Sequence, residues 1–155
     1  MEVLYEDNHI IIVNKAPGEI VQGDKTGDTP LSETIKAYLK EKYAKPGNVF
    51  CGVVHRLDRP VGGVVVFAKT SKALTRLNEM FREGKVDKTY WAITAGTPAE
   101  PSATLTHYIT TRQQGKKSYA PPPPAPTGKN AVRTYEPIDH RRRWPRPLVR
   151  HRQSG

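Results

Sequence analysis

Residues 53–63 read Val53-Val54-His55-Arg56-Leu57-Asp58-Arg59-Pro60-Val61-Gly62-Gly63. This stretch places one carboxylate, Asp58, at the end of an apolar strand and between two arginines. Pro60 and the two glycines after it predict a tight turn. Because rigid scaffolds present reactive groups on strand-end loops, Asp58 is a candidate nucleophile or base. A lone aspartate in a turn also commonly forms the turn itself, by pairing with a neighbouring arginine or by accepting backbone N–H bonds.

The segments around this loop predict an α+β fold, with a mixed, largely antiparallel sheet and flanking helices. A first helix is predicted after a cap at Asp28 or Thr29, with Leu31, Ile35 and Leu39 on its core face. The hydrophobic pattern predicts a second helix over residues 71–83. It predicts strands over residues 3–5, 10–13, 53–54, 64–68, 88–95, 105–111 and 117–120. The chain length suits one domain.

The C-terminal segment differs in composition from the rest of the chain. A run of prolines that starts at Pro121 favours an extended conformation. Residues 140–155 contain six arginines and no acid, and they show no apolar periodicity. We therefore predict a folded part over residues 1–138 and a basic, disordered tail over residues 139–155.

Charge and composition narrow the class of protein. The chain has 25 lysines and arginines against 15 acids, which fits a polyanionic partner such as RNA and also an ordinary basic surface. Cys51 is the only cysteine, so an intrachain disulfide and a cysteine-rich zinc site are excluded. The lone cysteine predicts a cytoplasmic location, and the lack of a long apolar run or basic leader predicts neither a membrane span nor a signal peptide. We expect a monomer.

Three motifs, in order along the chain, resemble the RluA-like family of pseudouridine synthases. Residues 55–58 match its first motif, His-Arg-Leu-Asp, although residues 61–63 are Val-Gly-Gly where the family usually has Thr-Ser-Gly. Residues 3–18 are similar to the family's first hairpin, with Lys-Ala-Pro-Gly in place of Lys-Pro-x-Gly. Residues 88–92 match the second motif, Lys-x-Tyr-x-Ala. The resemblance covers about residues 1–120, and it implies that residues 1–138 are the N-terminal part of a catalytic domain.

The resemblance implies an isomerase that converts uridine to pseudouridine in ribosomal or transfer RNA, with no metal and no cofactor. In this family an aspartate, here Asp58, attacks the ribose, and the base detaches, turns over and rejoins through carbon 5. One ionised carboxylate suits such a step. Tyr90 matches the tyrosine that stacks on the flipped uracil and helps to remove the carbon-5 proton, although it also fits an aromatic core position. Arg56 matches an arginine that contacts RNA.

Three further residues around this motif are assigned by position. His55 is interpreted as support for the loop. Lys15 and Arg59 are candidate phosphate contacts, and each also fits an ordinary solvated surface position.

A third family motif, Gly-Arg-x-His-Gln-Ile-Arg, is not found in the 155 residues. Its arginine pairs with the catalytic carboxylate in the family, so we predict that this chain by itself is inactive or nearly so. The string after residue 139 is interpreted as a truncated or out-of-frame end.

Three functional hypotheses follow from the sequence. They are a pseudouridine synthase, a non-catalytic RNA-binding module, and an unrelated basic α+β interaction protein. Release of the carbon-5 proton from uridine in RNA separates the first from the second. Salt-dependent RNA binding separates the second from the third.

Overall fold

The computed structural model describes residues 1–94, 96, 99–100, 102–111, 118–119, 129–139 and 148–153. The chain forms two compact units, Met1–Arg82 and Glu83–Gly155. The break between them therefore falls at the end of a helix, and not after residue 138, where the composition predicts one.

The first unit is an antiparallel sheet of four strands with two helices. Its strands follow the order β1-β2-β4-β3 and comprise β1 (Glu2–Glu6), β2 (Ile10–Lys15), β3 (Gly52–Val53) and β4 (Gly63–Ala68). Its helices are α1 (Leu31–Lys42) and α2 (Ser71–Arg82). The central strands β2 and β4 pair with Lys15 opposite Gly63. This register brings the end of β2 beside the loop that joins β3 to β4, which contains Asp58.

The core of the first unit lies between the central strands and α1. Because side chains alternate across a strand, one face of β2 and β4 is apolar and buried. The predicted stripe of α1 covers that face, and its three residues are each at most 2% exposed. The core cluster comprises Ile11, Val13, Val21, Leu31, Ile35, Leu39, Val65 and Phe67. The α+β prediction and the predicted core face of α1 are therefore confirmed.

Helix α1 begins differently from the prediction. Its cap is Pro30, and no side chain caps it. The first amides of the helix are satisfied instead by a preceding loop, since Leu31 N donates to Ile20 O at 2.8 Å and Ser32 N donates to Val21 O at 3.3 Å. These bonds replace the side-chain cap, because the N-terminal N–H groups of a helix have no partner inside it. They also fix residues 20 and 21 against the helix.

The second unit is an antiparallel sheet of five described strands. They follow the order β5-β9-β8-β6-β7 and comprise β5 (Lys88–Ile93), β6 (Ala103–Thr111), β7 (Ser118–Tyr119), β8 (Lys129–Asp139) and β9 (Leu148–Gln153). The predicted hairpin of two segments near residues 105–111 and 117–120 is present as the β6–β7 pair. Its turn lies outside the described residues.

Strand β9 corrects the prediction of a disordered tail over residues 139–155. Leu148–Gln153 pairs with β5 on one side and with β8 on the other. Pairing uses backbone donors and acceptors, so a strand without apolar alternation is held when both its edges are matched. Residues 148–153 contain no proline and keep every N–H donor. The predicted tail outside β9, apart from Asp139, lies beyond the described residues.

Deleting residues 140–155 is expected to disorder β5. Among the described strands β9 is the sole partner of β5, and an isolated strand has no stable backbone pairing. The backbone amides of Lys88–Ile93 should lose hydrogen-exchange protection, while those of β2 and β4 keep theirs. Unchanged protection in β5 would contradict the pairing with β9.

A buried ionic cluster joins the first hairpin to α1 and the end of β4. The Glu6 carboxylate accepts hydrogen bonds from Lys42 Nζ at 2.8 Å and Lys69 Nζ at 2.7 Å. The Tyr38 and Tyr43 hydroxyls donate to it at 3.1 and 2.7 Å. Burial by itself raises the pKa of Glu6, but the bonds from the two lysines and two tyrosines outweigh it and hold the pKa at about 2.

The Glu6 cluster predicts an acid-sensitive contribution to stability. A carboxyl whose pKa is lowered on folding stabilises the folded state above its unfolded pKa of 4.5, and this contribution is lost as the pH falls from 4.5 to about 2. The shift corresponds to roughly 3 kcal/mol. Glu6→Gln should remove this part of the pH dependence of the unfolding free energy in urea. The exposed control Glu41→Gln should retain it, and an unchanged slope in Glu6→Gln would contradict the assignment.

Candidate active site

A cavity of about 450 Å³ opens in the first unit between two loop segments. One segment is residues 20–24, which α1 fixes through the carbonyls of Ile20 and Val21. The other is residues 56–59, which belongs to the loop between β3 and β4. The cavity therefore brings the motif aspartate together with a loop that the sequence patterns did not single out.

Asp58 lines this cavity with an exposed side chain. Its backbone carbonyl accepts a hydrogen bond from Val61 N at 3.0 Å, which closes the turn. Its carboxylate has no hydrogen bond or ion pair with any residue in the described part of the chain. The backbone of Asp58 thus forms the turn, and the carboxylate does not take part in it. The alternative that the side chain pairs with Arg56 or Arg59 is not what the structure contains.

Lys15 lies beneath the loop and is only 1% exposed. Its Nζ donates to the carbonyl oxygens of Asp58, Arg59 and Val61 at 3.2, 3.2 and 2.6 Å, and to Ala16 O at 3.2 Å. Burial lowers the pKa of Lys15, while the surrounding carbonyl oxygens stabilise the ammonium form. This geometry does not support the predicted phosphate contact of Lys15, because its charge faces the loop backbone and is withdrawn from solvent.

Arg59 is half-exposed and already bound to the acidic loop that precedes α1. Its Nη1 donates to Asp28 Oδ2 at 2.7 Å, and its Nη2 donates to Thr26 Oγ1 at 2.8 Å and reaches Asp24 Oδ2 at 3.5 Å. Its carbonyl also accepts from Gly18 N at 2.7 Å. The guanidinium links the two segments that line the cavity, so a phosphate would have to displace two carboxylates to reach it.

Arg56 and His55 are neighbours in the chain but differ in exposure and in contacts. Arg56 is exposed, lines the cavity, and makes no ion pair with a residue among those the structure describes. His55 is half-buried, accepts a hydrogen bond from Val66 N through Nε2 at 3.1 Å, and stacks on Phe81 with ring centroids 5.0 Å apart. The structural interpretation of His55 agrees with these contacts, since they attach the loop to β4 and α2.

Two segments depart from the family pattern, residues 61–63 and residues 15–18, and they lie next to each other. A side chain at Gly62, where the family usually has serine, would place its Cβ 3.0 Å from Pro17 Cδ and 3.2 Å from Lys15 O. Pro17 is the residue that the rearranged Lys-Ala-Pro-Gly segment moves by one position. The shifted proline therefore occupies space that favours glycine at position 62. Gly63 has a φ of +135°, which independently favours glycine.

Tyr90 lies on β5 of the second unit and is half-buried, with its backbone paired to His151 of β9. The four other predicted site residues all lie in the first unit. The backbone pairing of β5 thus depends on the segment that the composition had predicted to be a tail.

The described part of the chain gives little support to a metal site or a cysteine nucleophile. Within it, no group of three or more histidine, cysteine, aspartate or glutamate side chains is arranged to hold a metal ion. Burial raises the pKa of the Cys51 thiol to about 12, so a thiolate nucleophile is not available there near neutral pH. No helix among these residues has the length and apolar character needed to cross a membrane.

Replacing Lys15 by methionine is expected to destabilise the first unit by about 3 kcal/mol, because several buried carbonyls lose a charged donor at once. Urea unfolding would measure the loss. Lys36→Met is the matched control, since Lys36 is partly exposed and bonds only to Glu33, and such a surface pair contributes about 0.5 kcal/mol or less. Equal losses in both variants would show that Lys15 does not hold the loop.

The sequence model of the family described as RNA pseudouridylate synthase matches residues 9–154. The match spans most of the chain, so the chain belongs to this family. It also extends through residues 139–154. Together with strand β9, this range counts against a change of reading frame after residue 139.

Curated relatives match about two thirds of this chain at moderate identity. The ribosomal large subunit pseudouridine synthase C of Buchnera aphidicola is 37% identical over 94 residues, which are 61% of this chain and 28% of that protein. An uncharacterised RNA pseudouridine synthase of Synechocystis is 34% identical over 106 residues, which are 68% of this chain and 32% of that protein. The chain thus spans about a third of the length of these relatives.

The fold has solved counterparts. The structure of human RNA pseudouridylate synthase domain containing 4 superposes with a TM-score of 0.77 at 22% identity, covering 98% of this chain and 58% of that one. Human RNA pseudouridylate synthase domain containing 1 gives a TM-score of 0.72 at 18% identity. At these identities the likeness establishes the fold.

Proposed function

We propose that this chain carries the nucleophile of an enzyme that isomerises uridine to pseudouridine in RNA, with Asp58 as that nucleophile. The observation that supports this most directly is the cavity in which the Asp58 carboxylate has no partner among the described residues. No described residue occupies the lone pairs of this carboxylate, so they can reach carbon once water is displaced and an arginine of the third motif orients the group. The family match supplies the reaction class, and the relatives' names suggest ribosomal RNA as the substrate.

The reaction leaves the composition of the nucleotide unchanged. Asp58 would attack C1′ of the ribose and the bond from C1′ to uracil N1 would break. After the base turns over, carbon 5 would bond to C1′ as the bond from C1′ to Asp58 breaks, which returns the free carboxylate. The proton on carbon 5 leaves and N1 gains one, so the product is an isomer and no oxidant or metal is consumed. The uridine must leave the RNA stack to reach the cavity, which costs a few kcal/mol. We propose that Tyr90 stacks on the flipped uracil and takes part in removing the proton.

Among the predicted RNA contacts we retain Arg56 and withdraw Lys15. Arg56 lines the cavity with an exposed guanidinium, which suits a phosphate beside the flipped nucleotide. Arg59 is assigned to holding the two cavity segments together, because its guanidinium is bound to Asp28, Asp24 and Thr26. A cytoplasmic, monomeric protein without cofactor remains part of the proposal.

A non-catalytic RNA-binding module is the second candidate. It is favoured by one observation, namely that within the described residues no arginine or lysine pairs with the Asp58 carboxylate. Release of tritium from ribosomal RNA labelled at carbon 5 of uridine separates the two functions. If the chain is a synthase, these residues joined to a family segment with the third motif should release tritium above an enzyme-free blank. RNA binding without release from either form would favour the module.

A further inference from the structure

The cavity has a second lining segment that lies outside the three motif matches at residues 3–18, 55–58 and 88–92. Residues 20–24 line it together with Arg56–Arg59. Ile20 and Val21 are buried, at 7% and 2% exposure, and their carbonyls are bonded to the first amides of α1. Gln22 follows directly and lines the cavity with an exposed side chain. Its carboxamide is therefore presented from a backbone that the core and α1 hold in place.

The polar side chains that line the cavity fall into two groups. Asp24 and Arg59 are bonded to each other and to Thr26. Gln22, Arg56 and Asp58 have no side-chain hydrogen bond to any residue in the described part of the chain. Of these three, Gln22 is the uncharged one, and it carries both a donor and an acceptor on one planar group.

The two segments that line the cavity differ in charge, and they therefore differ in the ligand group that each can bind. The segment with Gln22 also contains Asp24, whose pKa is lowered mainly by hydrogen bonds from Thr26 and which is therefore anionic at neutral pH. Asp24 is paired with Arg59, so the Gln22 side offers a phosphate no uncommitted cation among the described residues that line the cavity, whereas Arg56 on the other segment attracts it. An uncharged base suits the Gln22 side. Uracil presents an N3–H donor between two carbonyl acceptors, and a primary amide complements a donor and an adjacent acceptor of that edge.

We infer that Gln22 is a specificity-determining residue that hydrogen-bonds the imide edge of the target uracil, its carbonyl accepting from N3–H and its amide N–H donating to a uracil oxygen. The inference rests on the proposed function, because it assigns the base to the cavity that contains Asp58. It adds a contact from the loop between β2 and α1, and it divides the cavity into a phosphate side and a base side.

Gly23 supplies an independent steric probe of the same inference. A Cβ built on Gly23 meets nothing within 4 Å, and its φ is not in the left-handed region. Gly23→Val is therefore compatible with the fold and narrows the cavity beside Gln22. Gly96 has the same open surroundings and does not line the cavity, so Gly96→Val is the matched control.

Nuclear magnetic resonance of the ¹⁵N-labelled full chain with uridine monophosphate tests the contact without requiring turnover. Gln22→Ala removes one pair of side-chain amide signals and so assigns it. We expect uridine monophosphate to shift that pair, and Gln22→Ala and Gly23→Val to weaken binding about five- to tenfold. Asn78→Ala, an exposed amide on α2, and Gly96→Val should bind as the parent does. 3-Methyluridine monophosphate lacks the N3–H but keeps the carbonyl oxygens, so Gln22→Ala should weaken its binding less than it weakens the binding of uridine monophosphate.

The outcomes separate this inference from the proposed function. Shifts confined to Arg56–Arg59, with unchanged affinity in Gln22→Ala, would overturn the Gln22 contact and leave the synthase proposal standing. Equal losses for uridine and 3-methyluridine monophosphate in Gln22→Ala would also overturn it, because the imide donor would then play no part. No shift of any cavity residue at saturating nucleotide would overturn the assignment of the base to this cavity. The synthase proposal is judged separately, by tritium release.

Discussion

Asp58→Asn is expected to abolish pseudouridine formation and to leave folding and RNA affinity nearly unchanged. The substitution keeps the size and the backbone turn of Asp58, whose carbonyl accepts from Val61 N and Lys15 Nζ. The carboxylate makes no described contact, so its loss breaks no bond that holds the loop. A neutral amide cannot attack the sugar, and loss of a covalent nucleophile typically lowers turnover by about 10⁴-fold or more.

The experiment compares parent and variant in a form that also carries the third family motif, under single-turnover conditions with tritiated RNA. Glu41→Gln is the matched control. It removes the same charge from an exposed carboxylate on α1 that does not line the cavity. Product from Asp58→Asn above an enzyme-free blank would rule out Asp58 as the nucleophile. Equal unfolding midpoints in urea would show that the loss of activity is not a loss of fold.

The sequence alone predicted the features whose conformation is determined by residues close together in the chain. The α1 stripe follows from its four-residue spacing, and the turn at Asp58 follows from Pro60 and the two glycines. The family motifs located the loop that lines the cavity. In each case the residue types decide the conformation over a few positions, so no long-range information is needed.

The remaining features depend on which distant segments meet. Lys15 looks like any surface lysine until the register of β2 against β4 places it under the loop, 43 residues from Asp58. Gln22 has no pattern of its own and gains its position from the bonds between its neighbours and α1. Strand β9 shows no apolar alternation and is held by backbone pairing on both edges. One signal was available for Lys15, because it continues the two-residue alternation of the apolar Ile11 and Val13 on the buried face of β2.

The chain of 155 residues by itself is expected to release little or no tritium from RNA. Asp58 is exposed, and no cation pairs with its carboxylate among the described residues. In the family an arginine of the third motif makes that pair, and the motif does not occur in these residues. The present geometry changes the reason for expecting inactivity. A buried, unpaired carboxylate would be penalised by desolvation, whereas this one lies open to water.

An open carboxylate is a poor nucleophile for a different physical reason. Water solvates its charge and must be removed before the sugar can approach, and no cation among the described residues forms an ion pair that would orient it. Arg56 lines the same cavity but is assigned to the RNA phosphate, and Arg59 is held by Asp24 and Asp28. Neither is free to replace the missing arginine without giving up the contact that the structure or the proposal assigns to it.

The test compares tritium release by the chain alone with release by the chain joined to a family segment with the third motif. We expect release from the joined form only, and we expect Arg→Ala in the added motif to return it to the level of the chain alone. Robust turnover by the 155 residues would mean that a cation of this chain orients Asp58. Arg59 would then be tested first, because Asp24→Asn combined with Asp28→Asn frees its guanidinium, and turnover should rise in that double variant.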